Sequence, residues 1–235
     1  MSRRLGRPLA LFVALVVAGG AGVLVAAAFQ WDSEDALLLG ALAGLTVISE
    51  ALDFAPFANS RISLSAALIM VAGTLSGLPG VAVIATVAAL ADLLVHPKPL
   101  VKAAFNEGTL LLAGAAYVGA FGTFSVGHGR GDWPDVLAPA LVGSAANFAV
   151  NSALVAFAVA LETGDRAHTV WSQKFRWLLP HYVIVGVLAV MTAAAYEEWE
   201  LGGVALLLVP LAMVWFSIRQ YVGMASAFRR RFQRA

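Results

Sequence analysis

The chain has no cysteine. That removes disulfides, a thiolate nucleophile and every cysteine-based metal site at once. Histidine is nearly as scarce: His96, His128, His168 and His181 stand far apart, without an i,i+4 pair or an HExxH run, so no metal-binding pattern is present. Neither GxxxxGK[ST] nor GxGxxG occurs, so the usual backbone cradles for nucleotide phosphates are missing. Charge is thin as well. Only 12 % of residues are Asp, Glu, Lys or Arg, against about 25 % in soluble domains. A net charge of +1, with no basic face interleaved with aromatics, gives nucleic acid nothing to hold. Ser63 and Ser65 lack the strand-turn-helix setting of a hydrolase nucleophile, and no His-acid pair stands near them. No metal, no cofactor and no catalytic constellation are expected, and the chain reads as non-enzymatic.

What fills the 235 residues instead is apolar sequence, 60 % of the chain, with a mean hydropathy of +0.84. This predicts an all-α, polytopic membrane bundle. A spanning helix needs about 20 apolar residues, and eight stretches qualify: 8–29, 36–55, 62–77, 79–95, 100–122, 135–161, 177–196 and 201–222. The third and fourth are short and meet at Ser76-Gly77-Leu78-Pro79-Gly80, a helix-breaking turn; they read as a tight pair of thin or partly buried spans. Residues 1–222 form one membrane domain, and 223–235 a basic juxtamembrane tail. The basic start, long apolar run and small residues near Ala26–Ala28 imitate a secretory signal. The run is longer than a signal core, however, so the first helix is expected to be retained.

Eight spans place both termini on one side. With that side cytoplasmic, 14 of the 15 Lys and Arg face inward and only Arg130 faces outward, as the positive-inside rule requires. The outer loops carry Asp32, Glu34, Asp35, Asp132, Asp135, Glu197, Glu198 and Glu200. Trp31, Trp133 and Trp199 fall at outer ends, and Trp171 and Trp177 at an inner end, the pattern of an interfacial belt. The expected location is a bacterial cytoplasmic membrane.

Polar residues inside such spans need a partner or a purpose. Most of them gather in the cytoplasmic half: Glu50 and Asp53 end the second span, and Arg61, Ser63 and Ser65 open the third. Asp92 precedes His96-Pro97-Lys98-Pro99, Asn106 and Glu107 lie past Lys102, and His181 follows Pro180. Asn147 and Asn151, four apart on one helix face, reach toward mid-membrane. One reading is structural: Arg61 neutralises Glu50 or Asp53, Lys98 or Lys102 reaches Asp92 or Glu107, and the two asparagines bond a neighbouring helix. The other is a polar cavity open to the cytoplasm, or a coupling layer that moves with a cytosolic partner. The basic tail, with Arg229, Arg230, Arg231 and Arg234, suits anionic lipid or ordinary positive-inside anchoring.

The order of the segments containing Ser49–Phe54, Arg61–Leu94, Ala103–Phe121, Ala146–Leu161 and Phe175–Val190 resembles the multi-span N-terminal membrane region of bacterial HD-GYP phosphohydrolase and GGDEF diguanylate cyclase proteins. The resemblance spans roughly residues 40–220. It rests on Glu50, Ser63 and Ser65, the small residues from Gly77 to Gly80, Phe105-Asn106, Asn151 and Pro180-His181. It implies a membrane sensor or anchor joined to a cytoplasmic output domain or partner, whereas this chain reaches only Ala235. The competing expectation is a solute-binding subunit similar to the substrate-capture components of energy-coupling-factor transporters, or a small transporter with a cytoplasm-facing cavity. Partners on either reading are lipid, a cytoplasmic signalling domain or transporter subunits, and a second copy of the chain.

Overall fold

A computed structural model describes residues 6–51, 54–57, 60–62, 65–125, 132, 134–206 and 216. Their order is α1 (Arg7–Ala28), α2 (Ala36–Ala51), β1 (Phe54–Phe57), β2 (Ser60–Ile62), α3 (Ser65–Val95), α4 (Leu100–Phe124), α5 (Leu137–Thr163), α6 (Ala167–Lys174), α7 (Leu179–Trp199) and α8 (Leu201–Leu206), with a 3-10 turn at Arg176–Leu178. The chain is a predominantly helical membrane protein. By length and apolarity α1, α5 and the run Arg176–Trp199 can each cross a bilayer, and α3 meets the same measure only when counted through its break at Gly77. α4 is long enough at 25 residues but opens with Lys102, Asn106 and Glu107. α2 is shorter, at 16 residues.

Local chemistry sets the boundaries. Pro8 and Pro180 sit in the first turns of α1 and α7, where a missing N–H goes unnoticed. Pro97 and Pro99 keep α3 from running into α4. Gly164 ends α5 at φ 81° and donates its N–H to the Ala160 carbonyl, the left-handed cap that glycine adopts without steric penalty.

The segment between α2 and α3 departs from the sequence reading. The second span was expected to run to residue 55 and the third to begin at 62; instead β1 and β2 pair antiparallel there, Phe54 opposite Ile62 and Phe57 opposite Ser60. Pro56 cannot donate within a helix, and the aromatic and β-branched residues beside it favour extended backbone. Apolarity alone does not distinguish these two outcomes.

α3 is the axis of the molecule. Gly77 interrupts it at φ 64°, ψ −142°, a conformation essentially restricted to glycine. A Cβ on Gly73 would stand 3.2 Å from Val81 Cγ2, and one on Gly80 would run into the Ala72 backbone. In an unbroken helix, residues eight apart are about 12 Å apart, so the chain doubles back at Gly77. The first arm, 65–76, is buried at every position except Ala66. A helix apolar all round belongs inside other helices, and α3 packs against α1, α2, α4 and α7.

Small residues permit the close crossings. A Cβ on Gly20 would lie 2.7 Å from Gly108 Cα, joining α1 to α4; one on Gly143 would lie 2.9 Å from Tyr117, joining α5 to α4. Gly114 meets Val81 and Ile69 of α3, and Gly186 of α7 meets Ser144 of α5. In lipid, helix association depends on such contact rather than on exclusion of water.

The same contacts fix helix direction. Phe12 meets Phe105 while Gly19 meets Leu112, so α1 and α4 run parallel. Tyr117 meets Gly143 while Phe12 bridges Phe105 and Phe157, so α5 runs against α4. α7 opposes α5, since Ser144 meets Gly186 and Asn151 meets Tyr182. The second arm of α3 opposes α4, since Val81 meets Gly114 and Thr86 meets Glu107. One end of the bundle therefore gathers Arg7, Lys98, Lys102, Arg166, Lys174 and Arg176. Asp32, Glu34, Asp35, Asp132, Asp135, Glu197, Glu198 and Glu200 belong to the other end, where Asp35, Glu197 and Glu200 act electrostatically on Tyr196.

Candidate functional site

Hydroxyls inside the helices are satisfied first by their own backbone. Thr46, Thr74, Thr123, Ser144, Ser152, Thr163 and Thr192 each donate to the carbonyl four residues earlier, at 2.6–3.0 Å. This local bond removes the penalty of carrying a hydroxyl where water is absent. It also decides donors elsewhere. Thr74 gives its proton to the Met70 carbonyl, so the Tyr117 hydroxyl donates to Thr74 Oγ1 at 2.6 Å. Tyr117 is fully buried, and this bond pins α4 to the first arm of α3.

Among the described residues, the polar groups toward the basic end fall at the end of α2, at the α3–α4 loop and between α5, α6 and α7. Glu50 is only 4 % exposed at the end of α2. Both it and the buried Ser65 are engaged by a partner, while Ser49 Oγ, also buried, has none among the described residues. Asp53, Ser63 and the side chains of Arg61 and His181 lie outside the described residues, as do Arg229, Arg230, Arg231 and Arg234. The expected pairing of Arg61 with Glu50 or Asp53 falls there too.

At the α3–α4 loop, Lys98 Nζ bonds Asp92 Oδ2, and His96 Nδ1 stands 3.3 Å from Asp92 Oδ1. The expected Lys98–Asp92 pair is therefore present. The alternative pairing of Lys102 with Glu107 is not formed among the described residues. Thr86 Oγ1 donates to Glu107 Oε1 instead, at 3.1 Å. Glu107 lies five positions after Lys102, and only positions three or four apart face each other on a helix. Asn106, one position before, uses its backbone carbonyl to accept from Thr109 at 2.7 Å.

A third group joins α5, α6 and α7. Asn151 Nδ2 donates to the Tyr182 hydroxyl at 3.0 Å, and Trp171 Nε1 donates to Ser152 Oγ at 2.9 Å. Phe148 packs at a tilt against both Tyr182 and Trp171, with ring centroids 5.1 and 6.2 Å away. Asn151 is thus interhelical, as its spacing suggested. Asn147, one turn earlier, is buried at 4 % exposure. Tyr182 and Trp171 are not legible as polar partners from sequence, since an aromatic near the end of a span first reads as an interfacial anchor. The arrangement ties α6 to α5 directly and to α7 by way of Phe148. Among the described residues, no group of three His, Asp and Glu could hold a metal.

The Asn151–Tyr182 bond makes a measurable prediction. Membrane hydrogen bonds average about 0.6 kcal/mol in double-mutant cycles, so Asn151→Ala and Tyr182→Phe should be non-additive by about that amount in denaturant unfolding from detergent. Fully additive effects would show that the bond contributes nothing. No protein-family model, curated protein or solved structure matches the chain, so a reading of its function stands on this geometry.

Proposed function

We propose that the chain is a sensory or anchoring module of a bacterial cytoplasmic membrane, with eight membrane segments, both termini in the cytoplasm and coupling to an output partner through its basic end. The observation that carries this is the sorting of charge by packing. Helix contacts that involve no Lys or Arg still bring Arg7, Lys98, Lys102, Arg166, Lys174 and Arg176 to one end of the bundle. An end rich in Lys and Arg belongs in the cytoplasm. The first arm of α3, 12 residues long, covers about 18 Å, short of the about 30 Å of hydrocarbon. On this reading α3 is a helical hairpin with its turn toward the outside, and β1–β2 fills the cytoplasmic side beneath the first arm.

Coupling has a route through α6. This short helix lies at the basic end, and Trp171, Ser152, Asn151, Tyr182 and Phe148 tie it to α5 and α7. A displacement within the membrane then reaches the cytoplasmic surface. A module of this kind acts on something else, as in the HD-GYP and GGDEF membrane regions that the sequence resembles.

Orientation can be tested without background labelling, because the chain has no cysteine. Glu34→Cys and Glu198→Cys should react with a membrane-impermeant maleimide in intact spheroplasts, and Lys98→Cys and Arg166→Cys only after permeabilisation. The opposite pattern would invert the proposal. Coupling is tested by joining the C-terminus to a diguanylate cyclase domain and measuring cyclic di-GMP in cells. Output should differ from that of a fusion to an unrelated membrane anchor and shift in Trp171→Phe at equal membrane level. Identical output in all three would leave anchoring alone. A tightly held solute in a native mass spectrum would favour the solute-binding class instead.

A further inference from the structure

The turn between α6 and α7 carries charge of one sign, with an apolar stripe beside it. Lys174 closes α6 and Arg176 opens the 3-10 turn two positions later, and both are exposed. Between Asp165 and Glu197 the chain has no Asp or Glu. Other cations of the basic end have an acidic neighbour: Lys98 bonds Asp92, Arg166 follows Asp165, and Lys102 shares α4 with Glu107. Lys174 also suits the carbonyl end of α6. That accounts for one charge and leaves Arg176 and the stripe.

Past the two cations, Trp177, Ile184 and Met191 recur every seven residues and are 52, 59 and 51 % exposed. Seven residues make nearly two helical turns, so the three lie along one side of the run and cover about 21 Å. One leaflet of hydrocarbon is about 15 Å deep, so the stripe is long enough for an acyl chain. An exposed tryptophan at the charged margin of such a stripe suits the glycerol level, being apolar in its body and polar at its N–H. The turn is also held in place. Phe175 N–H bonds the Trp171 carbonyl and Leu178 N–H the Phe175 carbonyl, each at 2.9 Å, while Trp171 is fastened to Ser152 of α5. A site already fixed loses less freedom on binding.

We propose that the α6–α7 turn binds one anionic phospholipid. Its phosphate rests on Lys174 and Arg176, its glycerol backbone lies beside Trp177, and an acyl chain runs past Ile184 and Met191. A guanidinium presents two parallel N–H donors to a phosphate, and an ammonium adds a point charge. Together they select the net negative charge that a zwitterionic headgroup lacks. The site goes beyond the sensory reading: it needs lipid at the basic end and no particular output partner.

Native mass spectrometry of the full chain, released from detergent with phosphatidylglycerol or phosphatidylcholine added, measures the preference. Phosphatidylglycerol should bind about thirtyfold more tightly, the preference expected for two cations at a headgroup. Lys174→Gln with Arg176→Gln should reduce that preference to about threefold or less, whereas Lys102→Gln with Arg166→Gln should leave it near the wild-type value. All four positions are exposed, and an unchanged elution profile and thermal midpoint show that the variants fold. Trp177→Ala should weaken retention of both lipids. An equal loss in the two double variants would spread the attraction over the whole basic end and overturn the site, as would a preference unchanged without Lys174 and Arg176. Displacement of phosphatidylglycerol by an equal concentration of glycerol 3-phosphate would assign the pair to a soluble phosphate ester and overturn the lipid.

Discussion

Hydrocarbon offers a peptide no hydrogen bonds, and the organisation of this chain follows from that. Every polar atom taken into the layer must find its partner within the protein. The backbone meets the demand by forming helices; the threonines and serines meet it by returning their protons to carbonyls one turn back, as Thr46, Thr74 and Ser152 do. Only the few groups that cannot be satisfied locally are left to join one helix to another. Tyr117 to Thr74, Asn151 to Tyr182 and Trp171 to Ser152 are such joints. Each links one helix to another, and each is short enough to fix their relative position.

The same scarcity of polar partners explains why glycine carries so much of the packing. With lipid as apolar as the helices themselves, association gains from contact area alone. Gly20 against Gly108 and Gly114 against Val81 bring backbones closer than any side chain would allow. The first arm of α3 is the furthest consequence. It is enclosed on every face, so it exchanges lipid contact for protein contact almost completely. Gly77 makes this enclosure reachable, because it lets the chain turn and lay the second arm along the first.

The sequence carried the helices, the break at Ser76–Gly80 and the segregation of basic from acidic loops, because each is written locally as a run, a Gly-Pro turn or a count of charges. It also carried the Asp92–Lys98 pair, whose members are six residues apart across the end of α3. It did not carry the strands at Phe54–Phe57 and Ser60–Ile62, which are shorter than any period can reveal and sit between apolar runs that read as helix. Nor did it find Thr86 for Glu107 or Tyr182 for Asn151, 21 and 31 residues away. Spacing along one helix shows which residues share a face, and says nothing about which helix that face meets.

The central claim is that α3 doubles back at Gly77 and so places its first arm inside the bundle. Spin labels on Ala66→Cys and Val95→Cys, in a chain with no other cysteine, measure it by pulsed dipolar spectroscopy in lipid. Two arms side by side, about 8–10 Å between axes, place the labels within about 25 Å of each other. A continuous helix places them about 44 Å apart, and a distance near that value would contradict the account.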